Sequence, residues 1–295
     1  MSFLKLRNVG VFTILKRTAK QFSENDMSTY AAALAYRALF SIFPFILFLM
    51  AMLGFLHLPK FFDWLREQAA LVLPPVVLDQ VNPVIDQLQS SQGGLLSMGI
   101  VLALWTASVG VRSLMNAMNK AYGVNEGRAT WKLFILSVIY TIGIAGMLLV
   151  AAGLMTMGPK MMTWLAAQVG LEEFLVTLWS WLRWPAAVFL LMLAVALIYY
   201  VAPDVEQKFR FITPGSIVAV MVWLAASIGF GIYVQRFADY NATYGSIGAI
   251  IVLLLFFYIT AAVLLLGAQI NAVIEHASKE GKDAGEKELP ENAPS

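Results

Sequence analysis

The chain has 295 residues, of which 60% are hydrophobic and 13% charged. Soluble domains average roughly 45–50% apolar and ~25% charged residues, so the composition excludes a soluble enzyme, a disordered chain and a collagen-like fibre. A formal net charge of +2 gives no strong nucleic-acid footprint, and the lack of cysteine rules out disulfides, a thiolate nucleophile and a Cys-ligated metal.

Residues 1–27 mix Lys5, Arg7, Lys16, Arg17 and Lys20 with Leu4, Val11, Leu15 and Phe22. That pattern lacks the compact apolar core of a cleavable signal and predicts a basic amphipathic helix lying on the inner leaflet. Asp26 or Ser28 is suited to cap the helix that follows. Six apolar runs then come at about 29–57, 95–118, 133–157, 184–202, 215–234 and 246–271. Each reaches the ~20 helical residues needed to cross a ~30 Å hydrocarbon layer. Ile250–Tyr258 is nine apolar residues in a row, where a barrel strand would alternate. The expected fold is therefore an all-α integral membrane protein, with six transmembrane helices in residues 28–276 and amphipathic surface helices. The tail 277–295, rich in Lys and Glu with Gly281, Gly285, Pro290 and Pro294, is expected to be disordered.

Two connections read as amphipathic helices at the outer surface. In 60–89, Phe61, Leu65, Ala69, Val72 and Leu73 form one stripe, and Val77, Val81, Val84, Ile85 and Leu88 form another after Pro74-Pro75. In 171–182, Leu171, Phe174, Leu175 and Leu178 repeat the pattern beside Trp179, Trp181 and Trp184, side chains suited to an interfacial belt. Pro44 interrupts the first span, and Ser41 is placed to satisfy the carbonyl it frees. Ala225/Gly229 and Ser227/Gly231 suit close helix packing.

Orientation follows from Lys and Arg. The amino-terminal five join Lys120, Arg128, Lys132, Lys208, Arg210, Lys279, Lys282 and Lys287 on one side, thirteen in all. Lys60, Arg66, Lys160, Arg183 and Arg236 make five on the other. This bias predicts a multi-pass protein of the bacterial inner membrane with both termini cytoplasmic.

Arg37 and Arg112 lie inside spans, where an arginine costs ~2.5–3.5 kcal/mol on insertion scales. Arg37 is ~12 Å into the first span and Arg112 ~9 Å from the inner end of the second, at 1.5 Å per residue. Asn116, Asn119, Gln269 and Asn271 approach the same depth, with Glu275 one turn beyond the end of the last span. The two arginines with Asn116, Gln269, Asn271 and Glu275 form a candidate substrate-binding pocket for a phosphate or another anion, matched by guanidinium forks. The alternative is that both arginines snorkel, or pair with Glu275 and helix carbonyls to fasten the bundle. Arg236, Asp239, Tyr240 and Tyr244 form a candidate outer gate, with a plain turn carrying interfacial tyrosines as its alternative. The sequence holds no phosphate-binding loop, no zinc motif and no mid-membrane carboxylate for a proton relay, so no cofactor, catalytic residue or metal is expected.

Four stretches resemble the YihY/BrkB family of bacterial inner-membrane proteins: AAALAYRALFSIFP from Ala31, WTASVGVRSLMNAMNKAYGVNEGR from Trp105, YYVAPDVEQKFRFITPGS from Tyr199, and YGSIGAIIVLLLFFYITAAVLLLGAQINAVIE from Tyr244. Where that family often has Glu in its last motif, this chain has Gln269. The resemblance implies a six-span inner-membrane fold linked to virulence, serum resistance and lipid or lipopolysaccharide traffic. It also carries an old ribonuclease BN label, which the two distant histidines, His57 and His276, do not fit.

Two functions compete. One is transport of an amphipathic or anionic molecule such as a lipid. The other is a non-transporting membrane scaffold that recruits partner proteins through its termini. Membrane lipids are the expected partners and nucleic acid is not; a homo-oligomer is compatible with either reading.

Overall fold

A computed structural model describes residues 10–55, 86, 93–169, 172–207, 211–237, 241–278 and 286–287. All seven elements within them are helices. They are α1 Val11–Glu24, α2 Met27–Phe55, α3 Gly93–Tyr122, α4 Thr130–Val169, α5 Glu172–Val201, α6 Pro214–Phe237 and α7 Asn241–Ala277. The outer segment 60–89, apart from Asp86, lies outside the described residues, as does most of the tail.

Five stretches of these helices are long and apolar enough to cross a membrane: Met98–Tyr122, Thr130–Met147, Val176–Val201, Pro214–Val234 and Ile250–Ala277. The first expected span coincides with α2, which is 29 residues long. The chain is thus an all-helical, multi-pass membrane protein. Its burial pattern suits a bilayer. The buried side chains are largely small, among them Ala219, Ala261, Ala268 and Ala272, while large ones such as Ile139, Met221, Ile228 and Ile251 face outward. Helices in lipid gain little by hiding Ile or Met, but they gain van der Waals contact where small residues let backbones approach.

The chain divides into two compact units, residues 37–110 and residues 1–36 with 111–295. In the larger unit α4 packs on α5, α6 on α7, α5 on α6, and α1 on α7. Its core is built around Met27, Met115, Met118, Tyr199 and Leu265. The ends of α3, α5 and α7 meet the starts of α4 and α6 there, together with α1, so the α3–α4 and α5–α6 connections lie at the same end as α1.

Several local expectations change. The 171–182 stretch is not a separate surface helix, because α5 runs unbroken from Glu172 to Val201 with Pro185 inside. α4 likewise continues to Val169, giving 40 residues, or ~60 Å at 1.5 Å per residue. Nothing between 158 and 169 breaks helical hydrogen bonding except Pro159, and one proline does not end a helix packed along a partner. Pro44 also leaves α2 continuous, and the Ser41 hydroxyl donates to the Ala38 carbonyl at 2.8 Å, two residues before Phe40, whose carbonyl loses its amide donor to the proline. Between α1 and α2, Asp26 adopts φ 54°, and its backbone carbonyl, rather than a side-chain cap, accepts from the Thr29 and Tyr30 amides.

The close helix contact is not on the small stripe of α6. Around Gly229 and Gly231 there is open space. The contact is at Gly215 and Gly267, where a methyl group on Gly215 would strike the Gly267 carbonyl oxygen and the Asn271 side chain. Only glycine lets the two backbones approach so far.

Candidate functional site

Within the 37–110 unit, Arg37 is half-buried and its guanidinium donates to the Val109 carbonyl at 3.0 Å. A helix carbonyl of this kind keeps its intrahelical bond as well, so it shares rather than neutralises the arginine charge. Ser108 and Thr106, close by on α3, turn their hydroxyls back onto the carbonyls of Trp105, Leu102 and Ala103. This is the usual way for hydroxyls to be satisfied in an apolar helix.

Within the larger unit, Arg112 is half-buried on α3 and donates to the Ser137 hydroxyl at 3.3 Å. Its guanidinium carbon lies 5.3 Å from the centre of the Phe134 ring. Both groups sit on α4, one turn apart, so α4 supplies a hydroxyl and a π face to the same cation. Ser137 itself donates to the Phe134 carbonyl at 2.7 Å, which fixes its oxygen as the acceptor for Arg112.

Of the remaining candidates, Gln269 and Asn271 hold helices together. Gln269 is fully buried. Its amide nitrogen donates to Gln21 Oε1 at 2.9 Å and to the Ala121 carbonyl at 3.3 Å, and its oxygen accepts from Asn25 Nδ2 at 3.2 Å. One neutral side chain on α7 thus ties α1 to α3. An amide fits this role better than a carboxylate, because two of its three partners are acceptors. Asn271 accepts from the Gly215 amide at 2.9 Å and donates to Thr213 Oγ1 at 3.0 Å, closing the first turn of α6. These bonds take Gln269 and Asn271 to different elements. Asn116 is exposed and Glu275 half-buried. His276, beside it, meets the Tyr122 ring edge-on at 6.4 Å. At the other end, Arg236 lies in the last turn of α6 and Tyr244 in the first turn of α7. Asp239 and Tyr240 lie outside the described residues.

A polar cluster that the sequence did not announce lies where α3 and α5 end and α4 begins. Arg128 donates to both oxygens of Glu126 at 2.7 Å each and to the Ala202 carbonyl at 3.0 Å, and its Nε lies 3.6 Å from Asp204. Asn119, buried, donates to Glu126 at 2.9 Å and accepts from the Asp204 amide at 2.6 Å. The Gly127 amide and Lys287 both donate to Asp204 Oδ2, and the Lys287 carbonyl accepts from the Glu206 amide at 2.8 Å. Burial raises the Glu126 and Asp204 carboxyls, but the bonds and charges of Arg128 and Lys287 outweigh it, so both titrate below the usual range. The same pairing holds the Arg128 guanidinium above its ordinary value despite burial. The available signal was two short connections at one end, Asn-Glu-Gly-Arg and Ala-Pro-Asp, with opposite charges a few residues from a helix terminus.

The virulence factor BrkB family matches residues 18–291. The chain belongs to that family. It is 32% identical over 268 residues to the Putative ribonuclease-like protein YfkH of Bacillus subtilis strain 168, covering 90% of this chain and 97% of that one. It is 24% identical over 267 residues to a UPF0761 membrane protein, NTHI0384, of Haemophilus influenzae strain 86-028NP, covering 88% and 94%. A UPF0761 membrane protein of Chromohalobacter salexigens is 27% identical over 266 residues, which is 62% of its length. No solved structure matches the chain. In this BrkB-family protein the Asn119–Glu126–Arg128–Asp204 cluster and the Gln269 clamp fall in three of the stretches that carry the family resemblance. There they join the ends of helices whose spans are otherwise apolar.

Proposed function

We propose that the protein handles an anionic amphipathic molecule, a lipid above all, in the membrane, and that Arg37 and Arg112 are both anion-binding residues. The observation that carries this reading is the kind of partner the two arginines have. Val109 offers a carbonyl, and Ser137 and Phe134 offer a hydroxyl and a ring. Each of these is a partner that a guanidinium in an apolar span can keep while it also binds an anionic ligand. A phosphate matches the guanidinium fork through two parallel bonds.

The protein is placed in the bacterial inner membrane with both termini cytoplasmic, supported by thirteen basic residues on that side against five. It acts without catalysis. The sequence has two histidines, His57 and His276, far apart in the chain, a poor match to the ligand cluster that metal-dependent RNA hydrolysis needs. The scaffold reading draws on a different observation, the docking of Lys287 from the tail onto Asp204 and Glu206.

Native mass spectrometry of the gently extracted protein tests the proposal. Bound anionic lipid is expected in the wild type, reduced about tenfold or more in Arg37→Leu and in Arg112→Leu, a loss matching one charge-assisted bond of ~1.5–3 kcal/mol. Lipid binding that survives both substitutions, with activity lost only on deleting the tail, favours the scaffold.

A further inference from the structure

α1 carries a surface that the bundle does not use. Its 14 residues present Ile14 and Thr18 to the bundle, exposed by only 7% and 2%. Phe22, one turn further, packs against the core. Phe12 and Leu15 instead stand 79% and 55% exposed. At ~100° per residue these two lie on a strip beside the buried face, with Ala19 between them, and Lys16 and Lys20 follow next round the helix. Arg17 completes the basic face, and all three cations are exposed. Lys20 also reaches Glu24 at 3.5 Å, in a pair too exposed to fix it.

The orientation of this surface is fixed by its neighbour. Gln21 and Asn25, at the carboxyl end of α1, both bond the buried Gln269 of α7. A free amphipathic peptide must order itself before it can lie on a bilayer. Here that cost is met on folding, and the apolar strip and the cations are held side by side.

We propose that α1 is a pre-oriented binding surface for an anionic bilayer leaflet: Phe12 and Leu15 enter the interfacial layer while Lys16, Arg17 and Lys20 lie among the lipid phosphates. Charge selects the occupant. An uncharged leaflet or an apolar protein groove has no use for three cations flanking two apolar side chains, whereas an anionic surface attracts each of them within a Debye length. The neighbouring helices cross a membrane, so such a surface lies within reach of α1 without any rearrangement. This inference does not depend on the roles of Arg37 and Arg112.

The natural absence of cysteine gives a direct test. Ala19→Cys places one thiol within the strip and leaves Phe12 and Leu15 intact. The full-length protein is spin-labelled there and reconstituted in phosphatidylcholine vesicles, with and without phosphatidylglycerol. The label's relative accessibility to oxygen and to a water-soluble nickel chelate then reports its depth. The expected result is a label below the phosphates in the anionic vesicles and shallower in the neutral ones. In the anionic vesicles, Lys16→Glu and Lys20→Glu should each return it toward water, lowering the embedded-to-free ratio about fivefold per unit of charge removed. Equal depth in both lipids and in both Glu variants overturns the proposal, because packing on α7 would then set the position of α1 alone. A label in water in the anionic vesicles overturns it as well.

Discussion

Arg128 and Arg112 are sixteen positions apart, yet the chain treats them in opposite ways. Arg128, beyond the end of α3, bonds Glu126, the Ala202 carbonyl and the charge of Asp204. Arg112, about three turns back from the end of α3, rests on a serine hydroxyl and a phenylalanine ring. At the helix ends the protein can bring up carboxylates cheaply, because water and short loops are near. Inside the span a carboxylate would add its own insertion cost, and there α4 brings a hydroxyl and a ring to the guanidinium. The contrast is between an arginine in a charged network at the helix ends and one packed on Ser137 and Phe134 within a span.

The largest effect is expected where that contrast is broken on the structural side. Arg128→Leu leaves Glu126 and Asp204 facing each other around Asn119, with Lys287 the remaining cation on Asp204 among the described residues. Loss of charge-assisted bonds in a partly buried cluster costs about 2–4 kcal/mol. The check is a thermal melt of the purified protein in mild detergent, expected several degrees below wild type. The same cluster sets an acid limit. Glu126 and Asp204 titrate below their ordinary values when folded. Their stabilisation is therefore complete above the unfolded carboxylate range of about 4 and drains as pH falls through the lower folded values. Melting temperature should be flat near neutral pH and drop in acid, and Arg128→Leu should lose much of that acid-dependent component.

A smaller but still structural effect is expected at the α6–α7 contact. Gly267→Ala drives a methyl group toward the Tyr199 hydroxyl, the Gly215 carbonyl and Ala219. Tyr199 donates to the Leu264 carbonyl at 2.7 Å, so it cannot withdraw without losing a bond. Overpacking of this kind costs ~1–3 kcal/mol. Gly229→Ala, which faces open space, should leave the melt unchanged. A Gly229→Ala variant that melts as low as Gly267→Ala would show that the exposed side of α6 is also packed, against another copy of the chain.

The sequence made the spans easy to read, because twenty apolar residues leave few alternatives to a membrane helix, and it made Arg37 and Arg112 conspicuous by their cost. It could not show where two helices touch backbone to backbone. Gly215 sits next to Pro214 at a helix start and looks like a turn residue, while Gly229 and Gly231 have the spacing of an interface and face open space. Nor could it show that Gln269 spends its amide on Gln21, Asn25 and Ala121. Those partners lie 248, 244 and 148 positions away, and only tertiary packing brings them within bonding distance. The start of α5 was hidden for a related reason: the amphipathic segment 171–182, ahead of a span, reads as a surface helix unless one knows that α4 runs beside it.

The smallest change tests the functional side of the comparison. Arg112→Lys keeps one positive charge at the same depth but replaces a planar fork with a single ammonium on a flexible stem. Ser137 can still accept from an ammonium and the Phe134 ring can still attract one, so the fold should lose less than ~1 kcal/mol, by analogy with exposed cation–π pairs. A ligand phosphate held by two parallel guanidinium bonds would lose one of them, and its affinity should fall roughly five- to tenfold, the worth of a single bond of ~1–1.5 kcal/mol. Thermal melts and lipid occupancy measured on the same preparation separate the two effects. A variant with wild-type melting and reduced occupancy makes Arg112 a ligand-binding arginine. If both fall together, Arg112 is one more fastener and belongs with Arg128. If neither changes, charge alone is what the site requires, and Arg112→Leu becomes the substitution that must lose lipid.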